Sequence, residues 1–228
     1  MPKLPLINKP DISSADITGL VLCGGRGQRM GGVDKGLQPY NGMPLARHAL
    51  KRLQPQVGQL AVNANRHLPD YKAMGAPVWP DEVADYPGPL AGFLTGLLHC
   101  TTPCLLTVPC DAPRFPADLA QRLLIVLNQD QSDIAMACGM DASGLDASDF
   151  YKRPLKPQPV FGLMRVSVLP SLQQFLAQGV RKVELWAQAH ASSWVNFDQP
   201  QDDPLAFFNA NTLDELRYIE RTSSSHAP

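Results

Sequence analysis

A glycine-rich loop with cationic side chains follows the first strongly apolar segment of the chain. The segment 17–23 is short and apolar, and five glycines lie within the nine positions 24–32. Glycines let backbone N–H groups approach a polyphosphate without Cβ clashes, and Arg29 and Lys35 add positive charge there. This order predicts a phosphate-binding loop, in which Arg29 forks onto two phosphate oxygens and Lys35 acts as a point charge. A flexible surface loop with incidental charges is the simpler alternative.

The spacing of the loop excludes two common phosphate-binding motifs. The dinucleotide fingerprint G-x-G-x-x-G requires glycine where Met30 follows Gly25 and Gly27. The P-loop requires Ser or Thr directly after its lysine, whereas Gly36 follows Lys35. The loop is therefore of a third kind.

Three polar residues follow other apolar segments. Asp111 comes three residues after the end of the apolar segment 104–108, and a carboxylate oxygen there suits magnesium. A helix N-cap is the structural alternative for Asp111, and the nearby glycine loop favours the metal. Asp81 can accept from a guanine amino group or a ribose hydroxyl, and Asn63 can read a base or a phosphate. For these two the alternatives are a turn residue and a strand-end residue.

These residues are predicted to lie on alternating strands and helices. Short apolar runs predict strands at 17–23, 59–62, 77–79, 104–108, 132–138, 159–164 and 194–197. Helical spacing predicts helices at 45–53, 90–100, 116–128, 167–178 and 212–221. The predicted fold class is α/β: a single Rossmann-like three-layer domain, with a mainly parallel sheet and helices on both faces. In such sheets ligands bind beyond the carboxyl ends of the strands. The polar stretch 139–157 is predicted to be a loop.

Length and composition favour one domain and exclude several partners. The 228 residues are 44% hydrophobic and 18% charged, with a formal net charge of -1. We expect a flexible leader over 1–16, one domain over 17–221 and a flexible tail over 222–228. Charge provides no case for nucleic acid, and no apolar run is long enough for a membrane. Five cysteines, three of them in apolar runs, indicate free thiols in a reducing cytoplasm.

The glycine loop also resembles a known family signature. The stretch 22–35 resembles the L-x-G-G-x-x-x-R-M-G-G-x-D-K pattern of the molybdenum cofactor guanylyltransferases, which belong to the glycine-rich-loop nucleotidyltransferases. Further resemblances follow in order along the chain, at 62–66, 80–81, 85–92, 109–113, 158–161 and 209–212. Two features depart from the pattern: Cys23 stands where alanine is expected, and 139–157 is longer than usual.

The resemblance implies a site and a reaction. The substrates would be GTP and molybdenum-bound molybdopterin, and the products the guanine dinucleotide cofactor and pyrophosphate. Lys35, Arg29 and Asp111 would be catalytic, and Asp111 would hold Mg²⁺. The implied nucleotide-binding residues are Leu22, Cys23, Gly24, Gly25, Lys35, Asn63, Asp81 and Asp111. Asn209 and Asn211 either begin the last helix or lie near the pterin, and Arg181 with Lys182 either meets a substrate phosphate or is solvated.

Three alternatives to this function stay open. A cytidylyltransferase of the same cofactor and a sugar-phosphate nucleotidyltransferase would use a similar loop, and the residues 23–25 favour guanine by resemblance alone. A nucleotide-binding adaptor that delivers cofactor to an apo-enzyme is the non-enzymatic alternative. Partners that supply molybdopterin, and apo-molybdoenzymes that receive the product, are further expectations of the resemblance.

Overall fold

A seven-stranded sheet with the order β5-β4-β1-β6-β8-β7-β9 forms the centre of the protein. The computed structural model describes residues 9–24, 33–82, 88–140 and 154–223. The strands of this sheet are β1 (Ile17–Leu22), β4 (Gln59–Asn63), β5 (Val78–Trp79), β6 (Cys104–Pro109), β7 (Ile134–Met140), β8 (Leu155–Arg165) and β9 (Ser192–Phe197). A separate two-stranded antiparallel hairpin consists of β2 (Pro39–Tyr40) and β3 (Met43–Pro44).

Helices cover both faces of the sheet. They are α1 (Leu45–Leu53), α2 (Leu68–Lys72), α3 (Pro89–His99), α4 (Leu119–Gln129), α5 (Leu169–Ala177), α6 (Val183–Ala187) and α7 (Leu213–Ser223). On one face α1 and α4 pack against alternate residues of β1 and β6, such as Ile17 and Leu106. On the other face α3, α5 and α6 pack against residues that include Leu20 and Leu105. This alternation of side chains follows from the two-residue period of a strand.

The sheet is parallel except at one strand. β1 pairs in parallel with both β4 and β6, and β7 pairs in parallel with β9. β8 runs antiparallel between β6 and β7. The predicted fold class, a three-layer α/β domain with a mainly parallel sheet, is confirmed. None of the helices in the described ranges has the length and apolar character needed to cross a bilayer.

The structure differs from the sequence prediction in the region 139–157. Its two ends are paired strand, because Met140 opposes Leu155 and Gly139 opposes Lys156. The prediction of a loop over the whole stretch was therefore wrong at both ends, and residues 141–153 lie outside the described ranges. The hairpin β2–β3 and the five-residue helices α2 and α6 were also missed, since such short elements carry little periodicity.

The described part of the predicted leader packs onto the domain. Lys9 Nζ lies 2.8 Å from Asp133 Oδ1. Ile12 is buried, and the side chain of Asn128 in α4 accepts from the N–H of Ile12 and donates to the carbonyl of Ile12. The guanidinium of Arg165 donates to the carbonyl of Pro10 at 3.0 Å. Residues 9–16 are thus anchored, in contrast to the expected loose chain, while the outer domain boundaries stay predictions.

Candidate functional site

Lys35 and Asp111, 76 residues apart in sequence, meet beyond the carboxyl ends of β1 and β6. Lys35 begins a short 3-10 helix, Lys35–Leu37, for which Asp34 is the N-cap. The Lys35 ammonium donates to Asp111 Oδ2 at 3.1 Å and to Asn211 Oδ1 at 2.8 Å. The two charged side chains are 21% and 17% exposed, so each can still reach a ligand. Two predicted catalytic residues therefore lie together at the edge where parallel sheets bind ligands.

Backbone bonds hold Asp111 in place on either side. The N–H of Cys110, its neighbour, donates to the carbonyl of Leu22 at 3.1 Å and so ties the end of β6 to the end of β1. The carbonyl of Asp111 accepts from the N–H of Ala210 at 2.8 Å, which ties it to the segment before α7. The alternative that Asp111 is a helix N-cap is wrong, because α4 begins eight residues later and its N-cap is Asp118.

The donor set around Asp111 fits a hard divalent cation that is held mainly by substrate. The described residues contain no group of three or more His, Cys, Asp or Glu that could enclose a metal. Asp111 supplies one carboxylate. The amide oxygen of Asn211 lies nearby, because it accepts from the same Lys35 ammonium. Magnesium commonly takes one or two protein carboxylates and completes its shell with phosphate and water. The residues present therefore fit magnesium bound together with a triphosphate.

A second polar cluster lies at the carboxyl ends of β4 and β5. The amide of Asn63 donates to Asp81 Oδ1 at 2.8 Å and to the carbonyl of Trp79 at 3.0 Å. Asn65 donates to Asp81 Oδ2 at 2.7 Å and accepts from the Asp81 N–H, also at 2.7 Å. Both carboxylate oxygens of Asp81 are thus oriented by amides, and they retain lone pairs for another donor. The reciprocal role of Asn65 was missed, although its position two residues after Asn63 was a signal for it.

Gly24 brings the start of the glycine loop against this cluster. A Cβ at Gly24 would lie 3.2 Å from Asn63 Oδ1 and 3.3 Å from Asn65 Nδ2. A Cβ at Gly92 in α3 would approach Asn63 Oδ1 to 2.7 Å. The loop, the cluster and α3 therefore meet around Asn63, which is itself buried, and the missing side chains at both glycines let the three segments pack this closely.

Cys23 lies between the loop and the core. Its N–H donates to the carbonyl of Asn63 at 2.8 Å, and its side chain is buried. The thiol faces Cys110, and the hydrogen bond between the two, followed by burial, raises the pKa of Cys110 well above its usual value. Because the side chain points inward, the backbone of Cys23 is what the loop presents, and cysteine replaces alanine here without entering the site.

The remaining predicted residues are distributed unevenly. Leu22 is half-buried at the end of β1, whereas Arg181 and Lys182 are exposed just before α6. Gly25 and Arg29 lie outside the described residues. The prediction that Asn209 or Asn211 caps the last helix was wrong: the cap is Thr212, whose hydroxyl accepts from the Glu215 N–H while its own N–H donates to the Glu215 carboxylate. That reciprocal pair is the T-x-x-E capping box, a signal present in the sequence. Asn211 is thereby left to contact Lys35.

The chain matches a known protein family over most of its length. Residues 19–219 match a family model described as the MobA-like NTP transferase domain. The chain is 58% identical to the molybdenum cofactor guanylyltransferase of Acidovorax ebreus (strain TPSY), over 92% of this chain and 97% of that one.

Solved structures share the fold at low sequence identity. The molybdopterin-guanine dinucleotide biosynthesis protein A from Archaeoglobus fulgidus superposes with a TM-score of 0.71 at 20% identity, covering 91% of this chain and 99% of that one. A CMP:2-keto-3-deoxy-manno-octonic acid synthetase complexed with CTP has a TM-score of 0.65 at 14% identity, covering 92% and 98%. The family match and the 58% identity together show that the chain is a nucleotidyltransferase with a MobA-like NTP transferase domain, and that it belongs to the molybdenum cofactor guanylyltransferases.

Proposed function

We propose that this protein transfers GMP from GTP to molybdenum-bound molybdopterin, forming the guanine dinucleotide cofactor and pyrophosphate. The observation that carries the proposal is the convergence of Lys35 and Asp111 beyond the carboxyl ends of β1 and β6, where the glycine-rich loop begins. The name of the relative from Acidovorax ebreus supports the same reaction.

The chemistry needs positioned charge rather than a general base. The terminal phosphate of molybdopterin attacks the α-phosphate of GTP in line, and the bond to pyrophosphate breaks. This nucleophile is already anionic, so no proton has to be removed. The Lys35 ammonium, aimed by Asp111 and Asn211, neutralises charge that develops on the phosphates. Arg29 is proposed to contribute in the same way.

Asp111 is the proposed magnesium ligand. When bound there, magnesium would neutralise the phosphate oxygens and the leaving pyrophosphate. Asp111 is suited to this role because backbone bonds fix the segment on both sides of its carboxylate. If the carboxylate turns to a metal, the amide oxygen of Asn211 is still there to accept from the Lys35 ammonium.

The nucleotide is proposed to lie between the glycine loop and the Asn63–Asp81 cluster. Leu22, Cys23, Gly24 and Gly25 would present backbone to the nucleotide. The carboxylate of Asp81, oriented by two amides, would accept from guanine N–H groups. A site built to bond one base edge rejects a base without it, because its own polar groups are then left without partners.

The fold alone does not choose between guanine and cytosine. The synthetase solved with CTP shares the architecture at a TM-score of 0.65. The choice of guanine rests instead on the molybdenum cofactor guanylyltransferases, to which the chain belongs, and this membership argues against a cytidylyltransferase, a sugar-phosphate nucleotidyltransferase and a cofactor-delivery adaptor.

Location, domain limits and protein partners are proposed with this function. A cytoplasmic location is supported by five free cysteines, three of them buried. A catalytic domain over 17–221 is supported by the family match to 19–219, and residues 9–16 pack onto it. Partners that deliver molybdopterin, and apo-molybdoenzymes that accept the product, would fit the reaction.

The deciding experiment compares four nucleotides. Purified protein is incubated with magnesium, molybdenum-loaded molybdopterin and either GTP, CTP, ATP or UTP, and pyrophosphate release is measured. We expect turnover with GTP to exceed that with CTP by at least tenfold. Equal turnover with both would reject the base assignment, and nucleotide binding without pyrophosphate release would favour the adaptor.

A further inference from the structure

A buried carboxylate lies directly beside the proposed catalytic lysine. Asp34 is 7% exposed and precedes Lys35 in the chain. Its Oδ1 accepts from the N–H of Gly36 at 3.2 Å, which begins the 3-10 helix that contains Lys35. The same oxygen accepts from the hydroxyl of Tyr71 at 2.6 Å. The turn that presents Lys35 is therefore bonded to a side chain from another element.

Tyr71 belongs to α2, a short helix that lies beyond the end of β4. Its side chain is fully buried, in the same apolar cluster as Cys23 and Cys110. Burial, followed by nearby Cys23 and the bond to Asp34, raises the pKa of Tyr71 far above its usual value. The buried hydroxyl is thus placed to donate to Asp34.

Gly36 is required for this bond. A Cβ at Gly36 would lie 2.3 Å from Tyr71 Oη and 3.2 Å from Cys23 Sγ. The first distance is far shorter than any van der Waals contact, so a side chain at this position would displace the Tyr71 hydroxyl. The glycine therefore lets a tyrosine from α2 reach the carboxylate that caps the turn.

The position of this turn decides where the Lys35 ammonium lies. The turn fixes the backbone end of the Lys35 side chain. The ammonium at the other end of that side chain donates to Asp111 at 3.1 Å and to Asn211 at 2.8 Å. A lysine side chain has four rotatable bonds and loses its aim easily when its backbone moves. A misplacement of about 1 Å in a catalytic group can cost 10²-fold in rate.

We propose that Tyr71 is a positioning residue for the transfer reaction, which acts through Asp34 to hold Lys35 at the phosphates. The inference rests on the proposed function of Lys35. Tyr71 itself touches neither substrate nor reacting atoms in this arrangement. The hydrogen bond from the Tyr71 hydroxyl to Asp34 is the contact that matters. A phenylalanine at this position would keep the ring in the core and remove only that bond.

A double-mutant cycle tests the proposal with GTP, magnesium and molybdenum-loaded molybdopterin. We expect Tyr71→Phe to lower kcat by roughly tenfold, with the KM for GTP changed by less than about threefold, because the ammonium is displaced during the reaction. In a Lys35→Ala background the same substitution is expected to change kcat by less than about twofold, since its target is gone. Melting temperatures of all variants are recorded alongside.

Tyr218→Phe is the matched control. The Tyr218 hydroxyl is buried, and the described residues provide it with no hydrogen-bond partner. Removal of that hydroxyl from α7 is expected to leave both kcat and the cycle unchanged.

The outcomes separate this inference from the proposed function. If wild-type protein turns over GTP and Tyr71→Phe only lowers the melting temperature, Tyr71 is structural and the inference is wrong. Equal losses in the wild-type and Lys35→Ala backgrounds would likewise overturn it, because Tyr71 would then not act through Lys35. Wild-type protein that releases no pyrophosphate from GTP would overturn the proposed function, and this inference with it.

Discussion

The substitution Asp111→Asn separates the roles of the Lys35–Asp111 pair. It keeps the shape of the side chain and an oxygen that can accept from Lys35, but it removes the negative charge. At 3.1 Å the gross attraction of the pair is about 5 kcal/mol at an effective dielectric constant of 20. Both side chains are partly exposed, so solvation offsets most of that attraction, and we expect a change in the free energy of unfolding of about 1 kcal/mol or less.

The effect on catalysis is expected to be much larger. If Asp111 holds magnesium, its loss should lower turnover roughly 10²–10³-fold, which corresponds to about 3–4 kcal/mol of transition-state stabilisation. Without a metal, removal of an anion from a triphosphate site should leave GTP affinity unchanged or higher. GTP affinity in EDTA and in magnesium, pyrophosphate release and melting temperature are therefore measured on one variant.

Asp118→Asn provides the matched control for this test. Asp118 precedes α4, its side chain is 52% exposed, and Arg122 lies 3.8 Å away. Asp118→Asn removes the same negative charge at a residue outside the site, so we expect normal turnover. If Asp111→Asn is folded and turns over as fast as Asp118→Asn in magnesium, the reasoning about the metal is refuted.

Three other predictions concern the loop and the fold. Lys35→Ala should lower turnover by roughly 10² or more, and near-normal rates would transfer the role to Arg29 or to backbone groups. Gly36→Ala should destabilise the protein by about 1–3 kcal/mol in chemical denaturation, because its Cβ would lie 2.3 Å from Tyr71 Oη; unchanged stability would show that Tyr71 can move. Burial lowers the pKa of His48 below its ordinary 6.5. The unfolded chain therefore binds the proton more readily, and stability should fall as the pH drops below about 6.5. His48→Gln should reduce that loss between pH 7 and 5, and an identical pH dependence would contradict this origin.

The parts of the fold that carry strong periodicity were predictable from the sequence. The helix predicted before Pro55 from apolar residues recurring over 45–53 is α1, and the strand predicted at 104–108 differs from β6 by one residue. These segments are continuously apolar or apolar every three to four residues, which is what buried parallel strands and surface helices require. The direction of β8 was not predictable in this way. An apolar run has the same pattern in either direction, and the pairing partner decides its orientation.

The part of the site formed by residues that follow the ends of strands was predictable from the sequence. Asp111 and the glycine loop follow strands that pair directly, so the meeting of Lys35 with Asp111 follows from a parallel sheet. Tyr71 was not predictable, because α2 is only five residues long and nothing in its spacing marks a contact with Asp34. The role of Arg29 stays a prediction.

The contact with Asn211 explains how the free enzyme can keep two opposite charges ready for use. In the proposed reaction Asp111 is a metal ligand and Lys35 a phosphate ligand, yet without substrate each would be a half-buried charge with a solvation cost. Paired with each other at 3.1 Å, they offset that cost. A neutral amide from the segment before α7 gives the ammonium a second acceptor at 2.8 Å, and the Ala210 N–H holds that segment to the Asp111 backbone. When a metal-bound triphosphate enters, the carboxylate can turn to the metal while Asn211 still aims Lys35. We therefore propose that the pair is a preformed site whose two halves separate by exchange of partners, with little movement of the chain.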